Sequence, residues 1–219
     1  MGDDGPMRLD HLSYAAGPEG LAPCVQRIGS KLGAAFIDGG IHPSFGTRNF
    51  VLALRGGCYL EIVAPLDHPA ADRAPFGRAV RSRAKEGGGW LTWAIGVDDI
   101  GPVEARLGRS AAPGHRRRPD GFDLRWQQIG LNDVSVDPEL PYFIRWITDR
   151  GEHPSVGASP VTLRLLEISG DPARVSEFVA SPAVQPLEDV EVLWLDPSEQ
   201  ETGLVAAVFA TATGTVRID

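Results

Sequence analysis

Long apolar runs are missing from this chain: the longest, residues 204–210, is far too short to span a bilayer. A basic excess is missing too. The 21 Lys and Arg stand against 29 Asp and Glu, a formal net charge of −8 at pH 7, whereas a nucleic-acid or anionic-membrane surface needs Lys and Arg gathered on one face. The stretch Met1-Gly2-Asp3-Asp4-Gly5-Pro6 has neither the basic start nor the apolar segment of a secretion signal. Pro6 also stands where a myristoylation signal needs Ser or Thr. Cysteine is scarce, and Cys24 and Cys58 match no metal or redox spacing, so both read as buried thiols. These absences leave a globular cytoplasmic protein as the expectation, with no nucleic-acid and no membrane partner. With 42% hydrophobic residues in 219, the chain can bury a sizeable core as one large domain or two small ones. One local exception, Arg116-Arg117-Arg118 after His115, reads as a solvated turn or an anion contact.

What the chain does have is repetition: three segments run strand, helix, then three strands, with a period of about sixty residues. In the first, a strand over 8–15 precedes a helix over 21–32 with Leu21, Val25, Ile28 and Leu32 at helical spacing, ended by Gly33. Strands over 35–41, 49–54 and 58–63 follow, separated by glycine-rich turns. Residues 67–88 read as a connector of turns and a short basic helix near 78–85. The second segment predicts a strand over 90–97, a helix capped by Asp98 or Asp99, and strands over 114–118, 122–129 and 142–147. The third predicts a strand over 161–168, a helix capped by Asp171 with Pro172 first, and strands over 190–195, 204–211 and 215–218. The domains expected are 7–148, made of modules 7–66 and 89–148, and a third βαβββ-like module over 158–219. The fold class expected is α+β, with repeated βαβββ modules whose curved mixed sheets enclose a cleft. Two modules would pair, and the face left open by the third would be covered within the chain or by a homodimer.

The chemistry-bearing residues fall on the first module's strands. Strict alternation puts His11, Ser13 and Ala15 opposite Leu12 and Tyr14, and Tyr59, Glu61 and Val63 opposite Leu60 and Ile62. If the strands share a sheet, His11 and Glu61 project from one face, where imidazole and carboxylate either bind a divalent cation or line a metal-free pocket. Arg48 and Asn49, after a glycine turn, could present donors to a carboxylate or carbonyl, or simply cap the turn. Trp126 and Trp146, with Arg125 and Arg145 beside them, would give a cleft suited to a flat or acidic organic ligand. His68, His115 and His153 read as exposed loop residues.

Leu9-Asp10-His11-Leu12, His42-Pro43-Ser44-Phe45-Gly46-Thr47-Arg48-Asn49 and Tyr59-Leu60-Glu61 together resemble the glyoxalase-like branch of the vicinal oxygen chelate superfamily. The later modules match through Trp126-Gln127-Gln128-Ile129-Gly130 and Leu140-Pro141-Tyr142-Phe143. The resemblance implies paired modules around a cleft, a divalent ion (Zn, Ni, Mn or Fe) chelating substrate oxygens, and lyase or dioxygenase-type activity. It implies His11 and Glu61 as both metal ligands and catalytic residues, with His42, on a turn, as a third donor. His42, Arg48, Asn49, Trp126 and Arg145 are the expected substrate contacts. The ligand set is incomplete, because the second module offers Thr92 and Arg145, and a guanidinium has no lone pair to give. The function expected is therefore binding of a small, acidic or flat molecule with chemistry performed on it; the alternatives are metal-free binding or sequestration without catalysis, and a structural role.

Overall fold

The computed structural model describes residues 7–157, 159–181 and 186–219. Residue 158, where the sequence starts the third module, and residues 1–6, which carry the leader reading, lie outside the described residues. The first module is β1 (Arg8–Ala15), α1 (Leu21–Leu32), β2 (Ile37–His42), β3 (Thr47–Ala53) and β4 (Tyr59–Pro65). The connector holds α2 (Pro69–Arg73) and α3 (Pro75–Lys85). The second module is β5 (Gly89–Gly96), α4 (Gly101–Leu107), β6 (Ala112–Arg117), β7 (Asp123–Ile129) and β8 (Tyr142–Trp146). The third unit is β9 (Thr162–Ser169), α5 (Pro172–Val179), β10 (Glu191–Leu195), β11 (Gly203–Thr211) and β12 (Gly214–Ile218).

Local signals account for most of these boundaries. Cys24, Ile28 and Leu32 form the buried stripe of α1, which ends where Gly33 turns left-handed at φ 63° and donates to the Gly29 carbonyl. Asp171 caps α5 by accepting from the Ala173 amide, with Pro172 in the first turn. Two readings needed adjustment. Residues 74–77, expected as turn, open α3, because Pro75 sits in its first turn, where a missing N–H costs nothing. His42, expected on a turn, is the last residue of β2 and pairs with Thr47 of β3.

The first two modules form one closed sheet in the order β1-β4-β3-β2-β6-β7-β8-β5. Within each module the first and last strands run parallel, β1 with β4 and β5 with β8. Between modules, β1 and β5 pair antiparallel along most of their length, while β2 and β6 meet at the single pair Ile41 and Arg117. At that seam Gly40 has φ +100°, and a Cβ there would lie 1.9 Å from the Arg117 carbonyl oxygen. Only glycine allows so close an approach. The expected cleft is thus the inside of a barrel.

The third unit keeps the same succession of elements but a different sheet, in the order β10-β9-β11-β12. Here β9 is central, with β10 parallel on one side and β11 antiparallel on the other. Succession alone does not set strand order, since the crossover through α5 returns beside β9, on the edge that the final strand takes in the other two modules. This sheet packs on the outside of the barrel: Leu12, Leu60, Trp93, Ile95 and Phe143 share one core with Leu163, Leu166, Ile168, Val175 and Phe209. The Trp90 indole donates to the Ile218 carbonyl at 3.0 Å across the same boundary. Each large side chain buried there contributes roughly 1.5–3 kcal/mol. No helix among the described residues is long and apolar enough to cross a membrane.

Candidate functional site

Because one face of the sheet is committed to that outer core, the alternate residues turn inward. His11, Tyr59, Glu61, His42, Arg116, Trp126, Gln128, Tyr142, Ile144 and Trp146 line a common interior. Phe45, Phe76 of α3 and Leu131 cover it with apolar surface. The free space among these groups is about 20 Å³, room for about one water. A second cavity of about 250 Å³ adjoins it at Arg116 and is bounded by Gly39, Arg118 and His153. A larger groove, about 650 Å³, lies between α3 and residues 200–205 and touches none of the buried ionisable residues.

Asp10 joins this interior through an irregularity. The β1–β5 register slips between Leu9 and His11, and a bulge of this kind releases a side chain from strict alternation. The Asp10 carboxylate therefore reaches the same side as its neighbour, 2.6 Å from His11 Nδ1. It also accepts from the Trp146 indole at 3.0 Å and meets His153 Nε2 at 3.1 Å. Burial alone would raise its pKa, but the bonds and charges of His11 and His153 outweigh this and hold it well below the usual carboxylate range. The ionised Asp10 accepts a hydrogen bond from Nδ1–H, which leaves His11 Nε2 to accept from the Tyr142 hydroxyl at 2.5 Å. Tyr59 stacks on the His11 ring, centroids 4.5 Å apart. Burial pushes both phenols, Tyr59 and Tyr142, well above the ordinary tyrosine range, so they stay protonated.

Glu61 occupies the same interior. Ser13 Oγ donates to Oε1 at 2.5 Å and Asn49 Nδ2 to Oε2 at 2.7 Å. Its burial pushes the pKa up, but nearby His11 and His42, with those two hydrogen bonds, bring it below the ordinary value. Asn49 uses its other end on Arg116, whose Nη1 donates to Oδ1 at 3.4 Å. Arg116 is 3% exposed, and its Nε has no hydrogen-bond partner. Burial lowers its pKa. His42 bonds Thr47 Oγ1 at 3.0 Å, and burial brings its pKa down to about 4, so it is neutral at pH 7.

The sequence-predicted residues divide by face. His11, Glu61, His42, Asn49 and Trp126 meet in the interior. Arg48 and Arg145 do not: Arg48 is paired with Asp38, and Arg145 donates to the Asp98 carbonyl and to Gln127. The inward residues of β8 are Tyr142, Ile144 and Trp146, so the one-residue offset that selected Arg145 put it on the wrong side of the sheet. The buried cation is instead Arg116, on β6 rather than in a solvated turn. His153 is turned inward onto Asp10, Tyr59 and Trp146 rather than exposed. Asp10, Arg116, Tyr142 and His153 were the functional candidates that sequence reasoning passed over. The alternation of Gly114 and Arg116 against His115 and Arg117 was the available signal for one of them.

The donor set can be tested against the divalent ion that the superfamily implies. The one His11 nitrogen that Asp10 leaves free faces the Tyr142 hydroxyl at 2.5 Å, which stands where a metal ion would bind it. A buried guanidinium stands close by, bridged to Glu61 through Asn49. Among the described residues no group of three or more His, Cys, Asp or Glu is placed to hold a metal ion. The residues present do not fit such a site.

Paired modules with parallel first and last strands, closed around an interior of polar side chains, place the chain in the vicinal oxygen chelate superfamily. It belongs to the glyoxalase-like domain family, whose model matches residues 9–182. Among solved structures, a hypothetical protein from Staphylococcus aureus is similar over 97% of this chain and 99% of its own, with a TM-score of 0.69 and 13% identity. A methylmalonyl-CoA epimerase from Mycobacterium tuberculosis matches 67% of this chain and 91% of its own, with a TM-score of 0.44 and 16% identity. A Streptomyces coelicolor methylmalonyl-CoA epimerase in complex with 2-nitronate-propionyl-CoA matches 66% of this chain and 100% of its own, at 0.44 and 18%. These likenesses speak to fold alone. No curated protein matches the chain.

Proposed function

We propose that the buried groups of the barrel interior form a metal-independent acid–base site that moves a proton on a small, flat organic molecule bearing a carbonyl and held in the adjoining cavity of about 250 Å³, as a lyase or isomerase does. The observation that carries this reading is the buried opposition of Glu61, held by Ser13 and Asn49, to the chain Asp10–His11–Tyr142. Burying so many polar and charged groups costs several kcal/mol that an apolar filling would avoid, which favours a chemical purpose. Glu61 is the base, since its lowered pKa keeps the carboxylate ionised at neutral pH. It takes the proton from the carbon next to the carbonyl, and the C–H electron pair moves toward the carbonyl oxygen. Tyr142, kept protonated by burial, turns its single O–H from His11 Nε2 to that oxygen, while His11, oriented by Asp10, positions the phenol. Return of that proton by Glu61 to another carbon of the conjugated system gives isomerisation; departure of a group from the neighbouring carbon with its electron pair, protonated by Glu61, gives elimination.

Deuterium incorporation at the α-carbon of small carbonyl compounds in D2O, followed by NMR, tests this. Glu61→Gln should lower the rate about 10²–10⁴-fold, the typical contribution of one positioned base. An unchanged rate in that variant removes Glu61 from the chemistry.

A further inference from the structure

Arg116 differs from the arginines near it. Arg118, at the same 250 Å³ cavity, is paired with both Asp120 and Glu152. Arg48 has Asp38. Arg116 is 3% exposed yet makes no ion pair among the described residues; its Nη1 donates to the neutral Asn49 amide at 3.4 Å, and Nε is unpartnered. A buried guanidinium without a carboxylate is costly, and its planar fork is suited to two parallel bonds with one. Gly39 makes room for it: a Cβ there would lie 2.8 Å from Nη1 and 2.2 Å from Asn49 Oδ1.

We infer that Arg116 is the recognition point for a carboxylate on the ligand, which reaches it through the cavity between Gly39, Arg118 and His153. This rests on the acid–base reading above and names its substrate class, a small monocarboxylate. The Asn49 amide bridges Arg116 and Glu61, so a carboxylate seated on the free edge of Arg116 brings the adjoining carbon toward the base. A single charge fits best, because Arg118 already has two acidic partners. His153 bounds the same cavity and bonds Asp10 at 3.1 Å, so an entering ligand passes the group that orients His11.

The test compares pyruvate, crotonate and benzoate with their carboxamides by thermal shift and calorimetry. The acids should raise the thermal midpoint of the wild type and the amides should not. Arg116→Met should unfold at or above the wild-type midpoint without ligand, since a charge with no protein partner is removed, and should bind the acids at least about 30-fold more weakly. Arg116→Lys, which keeps charge but loses the fork, should fall between. Glu61→Gln should still bind the acids, which separates failure of this inference from failure of the proton-transfer reading. Equal stabilisation by acids and amides, no stabilisation by any acid, or undiminished acid binding in Arg116→Met would overturn it. Should Arg116→Met fail to fold, unchanged affinity in Arg116→Lys overturns it as well.

Discussion

Glu61→Ala is expected to destabilise the protein by about 3–5 kcal/mol, the usual cost of stripping one member from a buried charged network. Two groups lose their hydrogen-bond partner at once. Ser13 and Asn49 are left as buried donors without an acceptor, and Arg116 loses the nearby negative charge reached through Asn49. The lowered pKa of Glu61 carries the same sign: the folded interior favours the ionised carboxylate, so removing it removes net stabilisation. Arg116 has the opposite sign, because burial disfavours its charged form. Glu61→Gln keeps the shape and an acceptor for Ser13 and should cost only about 1–2 kcal/mol. Urea unfolding at pH 7 measures all of these. A loss below 1 kcal/mol in Glu61→Ala would mean that the interior does not hold its carboxylate in the arrangement described.

The second large effect is on pH. His42 is buried against Trp126 and Phe45, and the charged groups facing it are Glu61, Arg116, His11 and His115. Its pKa falls from 6.5 to about 4 on folding, chiefly by burial. As pH drops through 6.5 the unfolded chain takes a proton that the folded chain refuses, so stability falls with pH across that window. The loss should reach about 2 kcal/mol at pH 5 and about 3 kcal/mol at pH 4. Below the ordinary carboxylate values the depressed groups Asp10 and Glu61 add their own losses in the same direction. His42→Gln should flatten the stability profile between pH 6.5 and 5. A wild-type profile that is already flat there would show that His42 protonates freely in the folded state.

The succession of elements was legible because periodicity and turn chemistry are local: α1 and the Asp171 cap of α5 lie where spacing and side-chain chemistry put them. Strand order was not, and the central place of β9 shows why, since it depends on which edge a crossover returns to. At the site, alternation located His11 and Glu61 on one face, and turn chemistry picked out Asn49 without separating it from Arg48. Alternation failed for Asp10, where a bulge breaks the period of two, and for Arg145, where an offset of one residue inverts the face. Arg116 was hidden inside a run of three arginines, whose composition resembles a solvated turn and whose alternation sets Arg116 apart only from Arg117. No single-sequence signal pairs Tyr142 with His11, because their meeting depends on barrel closure.

The acid–base chemistry proposed for the interior needs no metal. Wild-type protein treated with a chelator should incorporate deuterium from D2O at the carbon next to the ketone of a bound keto acid, the methyl group in pyruvate. Adding zinc, nickel, manganese or iron(II) should leave the rate unchanged. Exchange that appears only after one of these ions is restored, and that His11→Ala abolishes together with tight binding of the ion, would contradict the account and return His11 and Glu61 to the role of metal ligands.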